Sequence, residues 1–262
     1  MEDNNLIARA GGHVQLTTLY NKFVCKSFNE REHDFYQNIP PELRLVVPRY
    51  GGTLDSDTGK CLVMENLTQD FLKPSVMDLK MGTRMYSDTA SESKMLSQRR
   101  KSSRTTSSSL GVRFCGAIKY DVTINDYKRT DKYAGRTPDL FTLTSLLQDF
   151  FSISASGKIL RHIIKCVIEE LEKIKEILEQ MDGYRLYSSS LLIIYDTIAE
   201  TNTVHPEGHL NPQISVPKVK VKIIDFANSA LPGDKVAHPG PDSGFLLGLH
   251  SLIKMLELLI LL

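Results

Sequence analysis

Asp78 and Lys80 stand two positions apart in the stretch Pro74-Ser-Val-Met-Asp-Leu-Lys-Met-Gly82. Val76, Leu79 and Met81 make the stretch apolar, so it reads as a short buried strand. On an extended backbone, residues two apart project from the same face. A carboxylate and an ammonium beside an apolar layer are costly to desolvate unless they have a task. The tasks these groups suit are a metal or a proton for Asp78 and a phosphate for Lys80. The plain alternative is a surface strand with an ordinary salt bridge. Gly82 permits a sharp exit or a close backbone approach.

Further residues extend this chemistry. Lys26 ends the run Phe23-Val-Cys-Lys26, where it could reach a nucleotide phosphate or only solvate a sheet edge. Glu32, in the helix predicted over 29–38, could orient Lys26 or complete a capping box with Asn29. Asp225 closes an alternating Val/Lys run that ends Ile223-Ile-Asp-Phe226. A carboxylate at a strand end suits Mg²⁺ held on nucleotide phosphates, or caps a turn. Glu65-Asn66-Leu67 follows a strand and leads into a polar link, the kind of segment whose backbone can pair with an adenine. Lys94, Arg99, Arg100, Lys101 and Arg104 fall within eleven residues that contain no acid. Helical spacing puts Lys94, Gln98 and Lys101 on one face, which makes a polyanion site a rival to a solvated face. Arg113 and Lys119 share a parity on a later strand. Lys128, Arg129, Lys132 and Arg136 form a second basic patch with Tyr127 and Tyr133.

The elements that must position these residues follow from periodicity. Hairpins are predicted over 9–26 and around Asp55–Gly59, and strands over 111–122, 187–194 and 216–225. A helix is predicted over 142–151. The apolar positions Ile159, Ile163, Val167, Leu171, Ile174 and Leu178 predict a long helix over 158–181. Ser102–Ser109 reads as a flexible loop and a phosphorylation target. His205 and His209, in the polar loop 196–215, lack a metal-binding spacing.

Composition narrows the classes. The 262 residues suffice for one large domain or two lobes, with 41% apolar and 24% charged residues. A net charge of +1 excludes a polycation, so anion binding must arise from local clustering. Cys25, Cys61, Cys115 and Cys166 form no CxxC pair, which argues against a zinc site and for mostly buried, reduced thiols in the cytoplasm or nucleus. The polar, acidic start shows no signal peptide. His250, Lys254 and Glu257 interrupt the apolar run 244–262, which predicts a buried last helix rather than a membrane span.

Three motifs in succession give these fragments one reading. Pro74, Asp78, Lys80 and Gly82 form P-x-x-x-D-x-K-x-G, followed by Ser190-Leu191-Leu192 and Ile224-Asp225-Phe226. This series resembles the inositol polyphosphate kinase family. Leu110–Gly116, Tyr187–Leu192 and Gly240–Gly244, together with Lys94, Gln98, Arg100 and Lys101, resemble its hexakisphosphate kinase branch. The trisphosphate kinases and multikinases of the family, which phosphorylate a ring hydroxyl, remain alternatives.

The resemblance implies an α+β, two-lobed, protein-kinase-like fold. Residues 1–67 would form a small lobe and hinge. Residues 68–262 would form a larger lobe with an inositol phosphate segment at 83–112. ATP would lie between the lobes, its adenine against Glu65 and Leu67 and its phosphates near Lys26. Asp225 would hold Mg²⁺, and Ser190 would support the metal–phosphate geometry. Asp78, Lys80 and Ser190 would be catalytic. Lys80, Lys94, Arg100, Lys101 and Arg113 would bind an inositol polyphosphate, most simply inositol hexakisphosphate converted to a diphosphoinositol. A monomer is expected. A non-catalytic inositol phosphate-binding protein would not need both Asp78 and Asp225. A nucleic-acid binder would explain neither acidic motif, and a protein kinase would need a catalytic loop that is absent from the sequence.

Overall fold

Alternating and fully apolar runs build two antiparallel sheets in this computed structural model, which describes residues 10, 16–19, 22–56, 59–154, 156–196 and 217–262. Strands β1 (Leu16–Leu19), β2 (Phe23–Ser27), β3 (Tyr50–Ser56) and β4 (Gly59–Glu65) form the first, in the order β1-β2-β4-β3. Helices α1 (Glu30–Asn38) and α2 (Pro41–Arg44) lie between β2 and β3. Asn29 caps α1, its side chain accepting the Glu32 N–H at 3.0 Å.

The second sheet contains β5 (Pro74–Met81), β6 (Val112–Asp121), β7 (Asp126–Thr130), β8 (Ser190–Asp196) and β9 (Val219–Ile224), in the order β7-β6-β5-β8-β9. β5 is central and is buried on both faces except at Lys80, which is half-buried. A central strand can hold its residues with little freedom, because both neighbours fix its register. Between β5 and β6 come α3 (Glu92–Ser103) and the short α4 (Ser107–Leu110).

Three helices complete the larger part: α5 (Leu140–Phe150), α6 (Arg161–Glu179) and α7 (Ser243–Leu261). α6 buries Ile163, Val167, Leu171, Ile174 and Leu178, the stripe its sequence predicts. One core runs from Phe35 and Leu62 through Leu79 and Leu191 to Leu171 and Leu249, so the two sheets share an apolar interior. α7 is long and apolar enough to cross a membrane by length and composition. It packs on α6 and buries Phe245, Leu249, Leu252, Leu256 and Leu259 completely.

Three expectations are corrected. The long helix starts at Arg161 rather than 158, because Ile159 pairs with Ser152 in an isolated bridge. The strand expected from Tyr187 starts at Ser190, because Ser188 takes a left-handed φ of +62°. The Ser/Thr-rich segment is ordered rather than a flexible loop: the Ser102, Thr105 and Thr106 hydroxyls bond the carbonyls of Thr83, Ser102 and Val112. Short hydroxyls satisfy backbone locally, so a polar sequence can still build a fixed corner. Cys25 and Cys61 are buried and Cys115 and Cys166 half-buried, and all four are free thiols. His205 and His209 lie outside the described residues.

Candidate active site

The end of β2 delivers Lys26 to the junction of the two sheets. Its Nζ donates to Glu32 Oε1 at 2.8 Å and to Asp225 Oδ1 at 2.5 Å. Burial works against the charged amine there, yet Asp225 and Glu32 outweigh it and hold the Lys26 pKa above its ordinary value. The Glu32 carboxylate therefore serves Lys26, while the Glu32 N–H is held by the Asn29 cap. The same carboxylate accepts the Phe226 N–H at 3.3 Å.

Asp225 follows β9 directly, at φ +68°. A left-handed conformation costs a non-glycine residue about 1–2 kcal/mol and persists where its surroundings over-determine it. They do so here. The Phe226 ring stacks on Phe35 of α1, with centroids 4.0 Å apart and planes 8° from parallel. Arg31 of the same helix bonds the Ser229 carbonyl at 2.8 Å and pairs with Asp234. Helix α1 thus clasps the corner that presents Asp225.

Asp78 comes from the middle of β5 and is 7% exposed. Its Oδ1 and the Ser190 Oγ have no hydrogen-bond partner. Ser190 stands opposite Lys80 in the β5–β8 register, which puts its side chain on the face that carries Asp78. Burial pushes the Asp78 pKa up to about 6. Lys80 pulls it down, the Asp225 charge pushes it up, and Ser190 and Arg113 lower it. The Ser190 hydroxyl is near enough to be felt electrostatically but falls short of hydrogen-bond geometry. Lys80 Nζ donates to the Ser188 carbonyl at 2.8 Å. Gly82, at φ +89°, turns the chain out of β5 and donates its N–H to the Gly111 carbonyl at 2.7 Å.

Asp225, Asp78 and Ser190 together offer hard oxygen donors, two of them without partners. Mg²⁺ is held by one or two protein carboxylates plus substrate phosphates, so these residues fit it. Among the described residues no three acidic, His or Cys side chains form a complete metal cage.

Beyond Lys80 the surface opens into a cavity of about 510 Å³. Lys80, Lys101, Arg104, Arg113, Lys132 and Arg136 line it, and no acid does. Its volume falls in the small-molecule range of about 300–1,000 Å³, and its lining suits a dense anion.

The residues expected from the sequence divide between these places. Lys26, Asp225, Asp78, Ser190 and Lys80 come together, and Lys80, Lys101 and Arg113 share the cavity. Lys94 and Arg100 are exposed on α3 and do not line it. Lys94 lies two turns from Lys101 along the axis, and Arg100 points to another side of the helix. Glu65 and Leu67 sit where the first sheet ends. Burial would raise the Glu65 pKa, but the Arg49 N–H and Lys220 bring it below its ordinary value. Leu67 is buried with Phe71, Val76 and Leu192. Three cavity cations, Arg104, Lys132 and Arg136, were not read as site residues. Their signal was charge clustering alone, which Lys119, Lys128 and Arg129 share. Lys119 instead bonds the Asp149 carbonyl, Lys128 pairs with Asp121, and Arg129 is exposed.

Fold and site together define a two-lobed α+β protein with an ion-paired cluster at the junction of its sheets and an adjoining cavity lined by cations. The family model for inositol polyphosphate kinase matches residues 61–257. The chain belongs to the inositol polyphosphate kinase family. It is 34% identical over 227 residues to inositol hexakisphosphate kinase 1 of Rattus norvegicus, covering 76% of this chain and 51% of that protein. It is 36% identical over 218 residues to inositol hexakisphosphate kinase 2 of Homo sapiens, covering 75% and 50%. The chain thus spans about half the length of the curated relatives it matches. Among solved structures it resembles inositol phosphate multikinase Ipk2 of S. cerevisiae, in complex with ADP and Mn²⁺. The TM-score is 0.72 at 26% identity, over 90% of this chain and 98% of that one.

Proposed function

We propose that this chain is an ATP- and Mg²⁺-dependent inositol polyphosphate kinase that transfers the γ-phosphoryl group to inositol hexakisphosphate, giving a diphosphoinositol. The observation that carries this reading is the placement of Lys80. It joins an ion-paired carboxylate cluster on one side to an acid-free cationic cavity on the other. The relatives named as hexakisphosphate kinases support the acceptor. The multikinase structure with ADP and Mn²⁺ supports the nucleotide and the metal.

Bound Mg²⁺ would neutralise charge on the nucleotide phosphates, and Asp225 would hold it. Lys26 steers the phosphates, with Glu32 fixing its direction. Lys80 stands between nucleotide and acceptor, where an ammonium balances charge on the transferring group. Ser190 offers a hydroxyl to the same oxygens. Phosphoryl transfer depends on position and charge balance more than on covalent help from the protein, which matches this set.

A second reading, transfer to a ring hydroxyl, is favoured by Asp78. A buried carboxylate with a pKa of about 6 is a competent base near neutral pH. On either reading the lobes divide between residues 67 and 68, after β4 has ended at Glu65, with the adenine against Glu65 and Leu67. The protein acts as a monomer in the cytoplasm or nucleus, a placement supported by its free thiols.

The test is ADP release with ATP and Mg²⁺, with and without inositol hexakisphosphate, and phosphorus NMR of the product. A diphosphate resonance is expected. ADP release that ignores the inositol phosphate would overturn the reading.

A further inference from the structure

Arg84 stands two residues beyond Gly82 and does not line the cavity around Lys80. It borders a second, smaller cavity of about 270 Å³ with Thr83, Tyr86 and Arg99. An arginine so placed could be one more ligand for an anion, but its guanidinium is already engaged within the chain. Nε donates to the Tyr86 carbonyl at 3.0 Å, one terminal nitrogen donates to the Tyr187 hydroxyl at 3.1 Å, and the other pairs with Asp88 at 2.6 Å. The guanidinium carbon lies 4.5 Å from the Tyr86 ring centroid and 4.1 Å from that of Tyr187. His238 holds Asp88 in turn, its Nε2 2.7 Å from the second carboxylate oxygen. A planar fork can serve three partners and lie on aromatic rings at once, which an ammonium cannot.

Tyr187 opens the turn that leads into β8. The next residue, Ser188, takes φ +62°, and its carbonyl accepts Lys80 Nζ at 2.8 Å. A left-handed residue with a Cβ persists where its surroundings over-determine it. Before it, the Leu186 N–H bonds the Asp242 carboxylate at 2.8 Å. After it, the Ser189 carbonyl accepts the Met81 N–H at 2.9 Å. Arg84 holds Tyr187 between these two anchors.

We propose that Arg84 is a positioning residue for phosphoryl transfer. It clamps Tyr187, and through the Tyr187–Ser188 turn it fixes the carbonyl that aims the Lys80 ammonium. The proposal rests on the reading of Lys80 as the group that balances charge on the transferring phosphoryl. Lys80 and Ser188 both line the larger cavity, whereas Arg84 and Tyr187 do not. Arg84 therefore acts through the backbone of the turn and touches neither substrate. A lysine ammonium sits on a flexible stem, so its direction has to be set by an acceptor that is itself fixed. Phosphoryl transfer depends on such positioning more than on covalent help.

The test is steady-state kinetics of the full chain, with ATP and inositol hexakisphosphate varied in turn. In Arg84→Ala, kcat and kcat/KM should fall together, by about 10²-fold. Arg84→Lys keeps a charge beside Asp88 but not the fork, and should recover thermal stability more than kcat. Tyr187→Phe keeps the ring and loses only the hydroxyl, so kcat should fall about tenfold or less. Arg84→Ala combined with Tyr187→Phe should lose no more than Arg84→Ala alone, because both changes open one clamp. A raised KM for the inositol phosphate at unchanged kcat would make Arg84 a ligand, and a lowered Tm at unchanged kcat would make it structural. Either result overturns the proposal, as does full recovery of kcat in Arg84→Lys. A second readout needs no turnover: trace acetylation with acetic anhydride, followed by mass spectrometry, reports how freely the Lys80 amine reacts. In Arg84→Ala, Lys80 should be acetylated about threefold faster, as an amine released from one hydrogen bond, and Lys94 at an unchanged rate. If the native chain leaves inositol hexakisphosphate untouched and this contrast appears, the clamp stands and the kinase reading falls. An unchanged Lys80 rate overturns the clamp whatever the kinetics show.

Discussion

Two charged regions meet at Lys80 and are built in opposite ways. At the junction of the sheets, Lys26, Glu32 and Asp225 are already paired, within 2.5–2.8 Å, on a corner stiffened by stacked rings and a strained aspartate. In the cavity, six cations line one space with no acid among them. The first sets one ammonium between two carboxylates, a network whose geometry is fixed before any ligand arrives. The second is a concentration of one sign that suits an anion. The contrast teaches that the junction commits opposite charges to position, whereas the cavity gathers charge of one sign around a space. Each region should therefore fail in its own way when altered.

The largest effect belongs to the junction. Asp225→Asn keeps the shape but removes the charge that pairs with Lys26 and suits Mg²⁺. Turnover should fall on the order of 10²–10³-fold or more, with the fold retained by circular dichroism. A variant that keeps most of its kcat at saturating Mg²⁺ would make Asp225 structural and collapse the comparison.

Asp78 lies between the regions and should separate two acceptors. A ring hydroxyl needs a base, and losing one costs about 10²–10⁴-fold, whereas a phosphate acceptor is already ionised. Asp78→Asn should thus harm hydroxyl phosphorylation far more than pyrophosphate formation. With the native chain, kcat/KM for a hydroxyl acceptor should fall below pH about 6, where Asp78 gains a proton. Equal losses on both acceptors would mean that Asp78 acts on the nucleotide or the metal.

The same residue makes a stability prediction. The folded pKa of Asp78 is raised to about 6 from an ordinary 3.8. Its favourable contribution is therefore complete below 3.8 and is lost as pH rises through 6. A two-unit shift corresponds to about 2–3 kcal/mol. Asp78→Asn, neutral throughout, should raise Tm by several degrees at pH 8 and hardly at pH 4. A Tm gain that does not depend on pH would remove burial of the charge as the cause.

The cavity should give smaller, substrate-selective effects. Lys101→Ala should raise KM for the inositol phosphate about tenfold and leave KM for ATP nearly unchanged. Lys94→Ala, on the same helix face but outside the cavity, should change it about threefold or less, as exposed charges do. Both effects should shrink at high salt, while the Asp225→Asn loss should not. Kinetics with each substrate varied in turn would check this. Comparable losses at Lys94 and Lys101 would extend the site along the whole helix.

Much of the junction was legible in the chain. Asp78, Lys80, Ser190 and Asp225 stand in short motifs whose spacing follows strand parity, and strand parity is local. Lys26 at a strand end and the apolar stripe of α6 were legible for the same reason. Glu32 was ambiguous, because a capping box and an ion pair use the same carboxylate. Only the fold, which brings residue 225 to residue 26, could choose between them. The cavity was half legible. Lys101 followed from helical spacing and Arg113 from strand parity. Lys94 and Arg100 carry the same charge in the same run, and nothing local says which turn of the helix meets the cavity.

Composition and period determined the kinds of element, the buried stripe and the residues that bear charge, because those depend on neighbours three or four places away. Which cations share one space was decided by tertiary structure. Lys80, Arg104 and Arg136 lie on a strand, past a helix end and on a turn. Only the packing of Gly135 against Phe114 and the register of β5 against β6 set them around one volume.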